Sequence, residues 1–237
     1  EAYLKIGDIY LEWKNFNQAS RWYERAVKTE QKVASVYFHM AKMSFDTTQF
    51  KRAAEQLRQV FEIDANHLDA RILEMKILQN TGMNAALAQK TTDFVKDFPE
   101  NAEGYLFLGK LYLDLRELKK SLDYYKKSLQ LAPQSASSYN GMGNYYYELK
   151  DYKKANEYYS KSLEMSPNYA NAYYNIGLFE WNLGNLSKAR EHFMKAYELN
   201  QWVKEALLFS SICAFQCGLE QLEIKELLTF YERDAPL

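Results

Sequence analysis

Residues 136–169 read ASSYNGMGNYYYELKDYKKANEYYSKSLEMSPNY, and the next 34, residues 170–203, read ANAYYNIGLFEWNLGNLSKAREHFMKAYELNQWV. Laid one over the other, they place Tyr139 on Tyr173, Gly143 on Gly177, Ala155 on Ala189 and Tyr159 on Phe193. A period of this length marks an array in which each unit buries its apolar face only by stacking on its neighbours. Stepping by 34 from Gly7 reaches Ala41, Met75, Gly109, Gly143, Gly177 and Ser211, small residues with one exception. Twelve positions on, a second small register holds Ala19, Ala53, Leu87, Ser121, Ala155, Ala189 and Glu223. Bulky residues fill two complementary registers: Tyr3, Tyr37, Tyr105, Tyr139 and Tyr173 in one, Tyr23, Leu57, Tyr125, Tyr159, Phe193 and Leu227 in the other. The small places predict two helices in close approach, and the large side chains fill the space that remains. Leu149-Lys150-Asp151-Tyr152 and Leu183-Gly184-Asn185-Leu186 read as turns within a unit, and Pro99, Pro133 and Pro167 fall where a helix cannot continue.

At these residues the chain resembles the tetratricopeptide repeat family, whose 34-residue pattern runs from an aromatic through leucine, glycine and tyrosine to alanine, an aromatic, alanine and proline. The fifth unit supplies Tyr139, Met142, Gly143, Tyr146, Ala155, Tyr159, Ser162 and Pro167, and the sixth supplies Tyr173, Ile176, Gly177, Ala189, Phe193 and Ala196. The match extends over the whole chain and is fullest from Ala102 to Asn200. The resemblance implies an all-α fold, a right-handed superhelical solenoid of antiparallel helix pairs whose first helices line a concave groove. Seven repeats are expected in a single domain, at residues 1–33, 34–67, 68–101, 102–135, 136–169, 170–203 and 204–237. Because the chain opens on Glu1 without a methionine, it is expected to be a piece of a longer protein.

Two units depart from the pattern. The third carries Met75 and Leu87 where small residues belong, and Arg71, Glu74 and Thr91 where apolar ones belong, which predicts a local widening or a change of superhelical pitch near Arg71 to Thr91. In the seventh, Ser210, Ser211 and Glu223 stand at apolar or small places, while Leu208, Phe209, Ile212 and Phe215 fall on its groove side. Either a shift of the last helix buries those four, or they form a docking patch, including for a second copy of the chain.

Composition narrows the function. Lys and Arg number 30 against 31 Asp and Glu, so no overall field draws the chain to nucleic acid. The longest apolar stretch, near Ala206 to Phe215, is about half of the ~20 residues needed to cross a bilayer. Cys213 and Cys217 have no histidine nearby and too few partners for a zinc site; as free thiols they favour a reducing compartment. His39, His67 and His192 occupy three different repeat places, and no nucleophile elbow, phosphate loop or dinucleotide fingerprint occurs. No catalytic residue, cofactor or metal is therefore expected, and the chain reads as a scaffold or adaptor for a protein or peptide. Self-assembly through the terminal repeats and the substrate-recruiting arm of a larger enzyme are the alternatives.

The resemblance implies which side chains face the groove. In the second to fourth units Lys42, Lys76 and Lys110 occupy the same place, beside Phe107 in the fourth, a column suited to an acidic segment or a terminal carboxylate. Asp46 and Asp114, four residues after two of these lysines, suit intrahelical pairing instead. In the fifth and sixth units the wall carries Asn140, Asn144, Asn171, Asn175 and Asn182 beside Tyr147, Tyr174 and Trp181. Asparagine both donates and accepts, so such a row can satisfy the backbone of an extended peptide, with Trp181 and Tyr174 covering an apolar side chain. The competing expectation makes the aromatics packing between repeats. The clamp for chaperone carboxylate tails is not expected, because Asn140, Glu205 and Phe209 stand where that clamp has basic residues. On the second helices Lys119, Lys120, Lys126, Lys127, Lys153, Lys154 and Lys161 alternate with acids as a solvated face.

Overall fold

The computed structural model describes residues 2–13, 15–29, 33–200 and 203–218. Glu223 and Leu227, and with them any second helix of the seventh unit, lie outside the described residues. Six helix pairs follow one another: α1 (Ala2–Glu12) with α2 (Phe16–Thr29), α3 (Ala34–Asp46) with α4 (Phe50–Ile63), α5 (Leu68–Asn80) with α6 (Asn84–Asp97), α7 (Ala102–Asp114) with α8 (Leu118–Leu131), α9 (Ala136–Glu148) with α10 (Tyr152–Met165), and α11 (Ala170–Asn182) with α12 (Leu186–Leu199). α13 (Lys204–Gln216) follows them. The described residues contain no strand. The helices fall into two compact units, Glu1–Pro99 with α1 to α6 and Glu100–Leu237 with α7 to α13.

Five helix pairs turn in the same way. Thr48, Gly82, Arg116, Lys150 and Gly184, each 34 residues from the next, all have φ between 59° and 78°. This left-handed residue lets the chain reverse after the first helix. In the fourth pair Glu117 N donates to Tyr112 O and Arg116 N to Leu113 O, and the same two bonds recur at each of the other four turns. They satisfy carbonyls that the helix end would otherwise leave open. Pro99, Pro133 and Pro167 each sit two residues past the end of a second helix. The next helix opens on Asn101 or Ser135, whose side chains accept from Glu103 N and Ser138 N.

The glycine register explains the tightest contacts. A Cβ on Gly143 would collide with the Tyr159 ring, and one on Gly177 would come within 2.7 Å of Phe193. Tyr125 is held between two glycines, Gly109 on α7 and Gly141 on α9, at 2.6 and 2.5 Å from where their Cβ atoms would be. Serines at other small places find backbone acceptors: the buried Ser128 and Ser162 hydroxyls donate to Ala102 O and Ala136 O at 2.8 Å.

The third pair is packed differently. Met75 and Leu87 are both buried, and α5 and α6 run close together over a shorter stretch than the helices of the other pairs. Polar groups bridge the gap. Arg71 Nη1 lies 2.7 Å from Asp97 Oδ2, with its guanidinium over the Phe94 and Phe98 rings, and Lys90 Nζ lies 2.9 Å from Glu74 Oε1. The buried Thr91 hydroxyl turns back to Leu87 O at 2.7 Å.

Candidate functional site

In the first, fourth and fifth pairs one place near the middle of the first helix stands 15 residues before a buried tyrosine of the second. Asp8 accepts from the Tyr23 hydroxyl at 2.8 Å, and Asn144 accepts from Tyr159 at 2.9 Å. Burial pushes both phenols above their ordinary pKa, keeping them neutral donors. In the fourth pair the corresponding residue is Lys110, which has no acceptor to offer, and the buried Tyr125 hydroxyl has no hydrogen-bond partner among the described residues.

α9 and α11 are joined through these amides. Asn175 Nδ2 donates to both Asn140 Oδ1 and Asn144 Oδ1, each at 2.9 Å. Asn144 Oδ1 therefore receives Tyr159 and Asn175 together. Two groups are left over: the Asn144 Nδ2 donor and the Asn175 Oδ1 acceptor have no partner among the described residues. They border a cleft of about 400 Å³ whose walls are Leu113, Asp114 and Arg116, then Tyr147, Glu148 and Tyr159, and finally Leu178. Arg116 and Glu148 form an ion pair at its rim. Burial raises the Asp114 carboxyl above the usual range; Lys110 and Arg116 oppose that rise and Glu148 adds to it.

The other expected groove residues divide. Asn140 is 5% exposed and is spent on Asn175, so it is a strut rather than a reader. Asn182 donates to the Tyr147 hydroxyl, and Asn171 bonds Tyr169. Phe107 is 3% exposed: a large apolar ring at this place is withdrawn from water, with the Lys110 ammonium 5.7 Å from its centroid. Trp181 and Tyr174 are half-buried and pack on α13. Trp181 lies 4.8 Å from Phe209 between ring centroids, and Tyr174 lies 5.7 Å from Phe193 and 6.1 Å from Phe209. Neither borders the cleft, and this contact takes Phe209 out of the expected docking patch. Ile212 is half-buried, while Leu208 and Phe215 remain 37% and 61% exposed.

Lys42 and Lys76 belong to the first compact unit and Lys110 to the second. Burial raises the Asp46 carboxyl above its usual range, opposed by Lys42 and Lys76, which places an acid between those two cations. The cleft residues outside the groove places are Arg116 and Tyr159, whereas Glu148 holds the same place as Asn182 one unit earlier. Tyr159 was detectable as the position 15 residues after Asn144 in a register that repeats at Asp8 and Tyr23. Among the described residues no cluster of His, Cys, Asp and Glu could hold a metal, and no helix is long and apolar enough to cross a membrane.

Family models described as tetratricopeptide repeat match residues 1–32, 100–168 and 140–201. Protein O-mannosyl-transferase TMTC3 of Homo sapiens is 25% identical over 133 residues, which are 56% of this chain and 14% of that protein. The chain thus matches only a small part of that relative's length. Among solved structures, the APC/C hetero-tetramer Cut9-Hcn1 aligns with TM-score 0.72 and 21% identity over 90% of this chain and 41% of that one. MamA 41-end from Desulfovibrio magneticus RS-1 aligns with TM-score 0.58 and 20% identity over 71% of this chain and 95% of that one. With its 34-residue period, its recurring helix pairs and these matches, the chain belongs to the tetratricopeptide repeat family.

Proposed function

We propose that the chain is a protein-interaction scaffold that holds an extended peptide segment in the cleft bordered by Asn144 and Asn175. The observation that carries this reading is the pair of unspent amide groups. A donor and an acceptor side by side match one C=O and one N–H of a peptide backbone, and Tyr159 and Asn140 fix both asparagines in place before a ligand arrives. Leu113 and Leu178 on the walls suit an apolar side chain, and the Arg116–Glu148 pair is a polar rim.

The test is a titration of the full chain against an array of extended peptides, followed calorimetrically. Asn175→Ala is expected to weaken the peptides that bind by about 1–3 kcal/mol, as for a central interface residue, and, because it also removes the bonds to Asn140 and Asn144, to lower stability by about 1–3 kcal/mol while the chain stays folded at the titration temperature. Trp181→Ala is expected to lower the melting temperature and leave affinity nearly unchanged, because its ring packs on Phe209. Normal binding by Asn175→Ala would sink the assignment. Light scattering in the same titration checks a second occupant: association of the chain with itself that depends on Phe215 would favour a second copy on α13. The similarity to a segment of an O-mannosyl-transferase favours one further reading, a recruiting arm of a larger enzyme, with the same cleft holding the enzyme's substrate.

A further inference from the structure

A second cavity, distinct from the amide-lined cleft, lies where the second helix pair meets the third. It holds about 330 Å³ and lies along α4 and α5, closed at one end by the α5–α6 turn. Its walls are apolar: Leu57 and Phe61 from α4, Ile77 and Leu78 from α5, and Met83, 55% exposed, from the turn. Two cations of α4, Lys51 and Arg58, border it, both exposed and both without a hydrogen bond or ion pair among the described residues. The acid on the lining, Glu74, is already paired with Lys90. Glu55 and Glu62, the other acids of α4, do not line it. An apolar trough with two cations on its edge, and its one lining acid already paired, is complementary to a ligand that is apolar in the middle and negative at its flanks.

The spacing defines that ligand further. Lys51 and Arg58 are seven residues apart on one helix, two turns or about 10.5 Å along the axis. A partner helix laid along α4 presents side chains at the same interval, so carboxylates at i and i+7 would meet the two cations, while i+3 and i+4 would enter the trough between them. We propose that this cavity docks an acidic amphipathic helix of a partner protein, with Lys51 and Arg58 setting its register and one large apolar side chain seated between Leu57, Phe61 and Leu78.

The probe is a capped, fluorescein-labelled helical peptide of about 20 residues, with Glu at i and i+7, Phe at i+3 and Leu at i+4. Its anisotropy is followed on titration with the full chain. Saturable binding is expected, weakened about ten-fold or more by replacing Phe and Leu with Ser. The double variant Lys51→Glu, Arg58→Glu, both exposed and remote from the core, is expected to lose about ten-fold and to prefer a peptide with Lys at i and i+7. Ala54→Trp, which fills the cavity, is expected to abolish binding, and Asn175→Ala to leave it unchanged. If Ala54→Trp unfolds, the charge reversal still decides. The proposal is overturned by absence of saturable binding, by indifference to the charge reversal, or by a cavity taken by dodecanoate in preference to the peptide. A loss caused by Asn175→Ala would overturn it too, and assign the peptide to the amide-lined cleft.

Discussion

The third and fifth helix pairs are built on one 34-residue plan and pack in opposite ways. In the fifth, glycine at residue 143 lets the Tyr159 ring lie directly on the α9 backbone, and Ala155 completes the close approach. In the third, Met75 and Leu87 take those places, Thr91 takes the place of the tyrosine, and two ion pairs bridge the helices. Helix separation in this array is therefore set by side-chain volume at two places rather than by the turn, since Gly82 and Lys150 give the two pairs the same left-handed reversal. The tight pair fixes a hydrogen-bonded floor under the candidate groove. The open pair leaves a polar cleft between α5 and α6, bordered by Arg71, Glu74, Lys90 and Asp93.

The largest expected effect comes from exchanging volumes at that first place. Gly143→Leu should cost about 3 kcal/mol or more by driving a side chain into the Tyr159 ring, whereas Met75→Leu at the same place of the third pair should cost less than about 1.5 kcal/mol. Chemical denaturation of the two variants checks this, and equal losses would break the comparison. A smaller effect is expected from the second-helix place. Tyr159→Phe removes the donor to Asn144 and should cost about 1 kcal/mol, while Thr91→Val, whose hydroxyl bonds only its own helix, should fall within about 0.5 kcal/mol of neutral. If Thr91→Val proves as costly as Tyr159→Phe, the third pair relies on a polar contact at this place after all.

The smallest effect depends on pH. Burial raises the Asp114 carboxyl in the folded chain, so its contribution is fully present below the unfolded carboxylate pKa and is lost as pH rises through the higher folded value. Asp114→Asn removes a charge that resists burial, and the third and sixth pairs already carry Asn80 and Asn182 at this place. Melting temperature should rise for Asp114→Asn at neutral pH, and the gain should vanish in acid. A constant gain at all pH values would sink this account.

The fold was legible because it depends on residue volume at a fixed period, and Gly7, Gly109, Gly143 and Gly177 each mark a place where an aromatic ring lies on the helix. The loosened third pair was legible for the same reason. The state of the asparagines was not, because Asn175 finds its partners 31 and 35 residues away, and only the relative rotation of α9 and α11 decides which amide group stays open. A groove place also says nothing about depth: Phe107 and Asn140 hold such places and are buried. The cavity beside α4 arises from where Phe61 and Arg58 project against α5 and its following turn, and no residue spacing encodes that direction.

The shared turn has a consequence for the length of the array. Since Thr48, Gly82, Arg116, Lys150 and Gly184 adopt one backbone conformation with the same pair of hydrogen bonds, a cut at any of these turns can be rejoined at any other without a new loop geometry. Whole helix pairs can be excised, duplicated or transplanted in steps of 34 residues. A recognition surface built this way can be lengthened or shortened between generations while every surviving junction keeps the fit it had before.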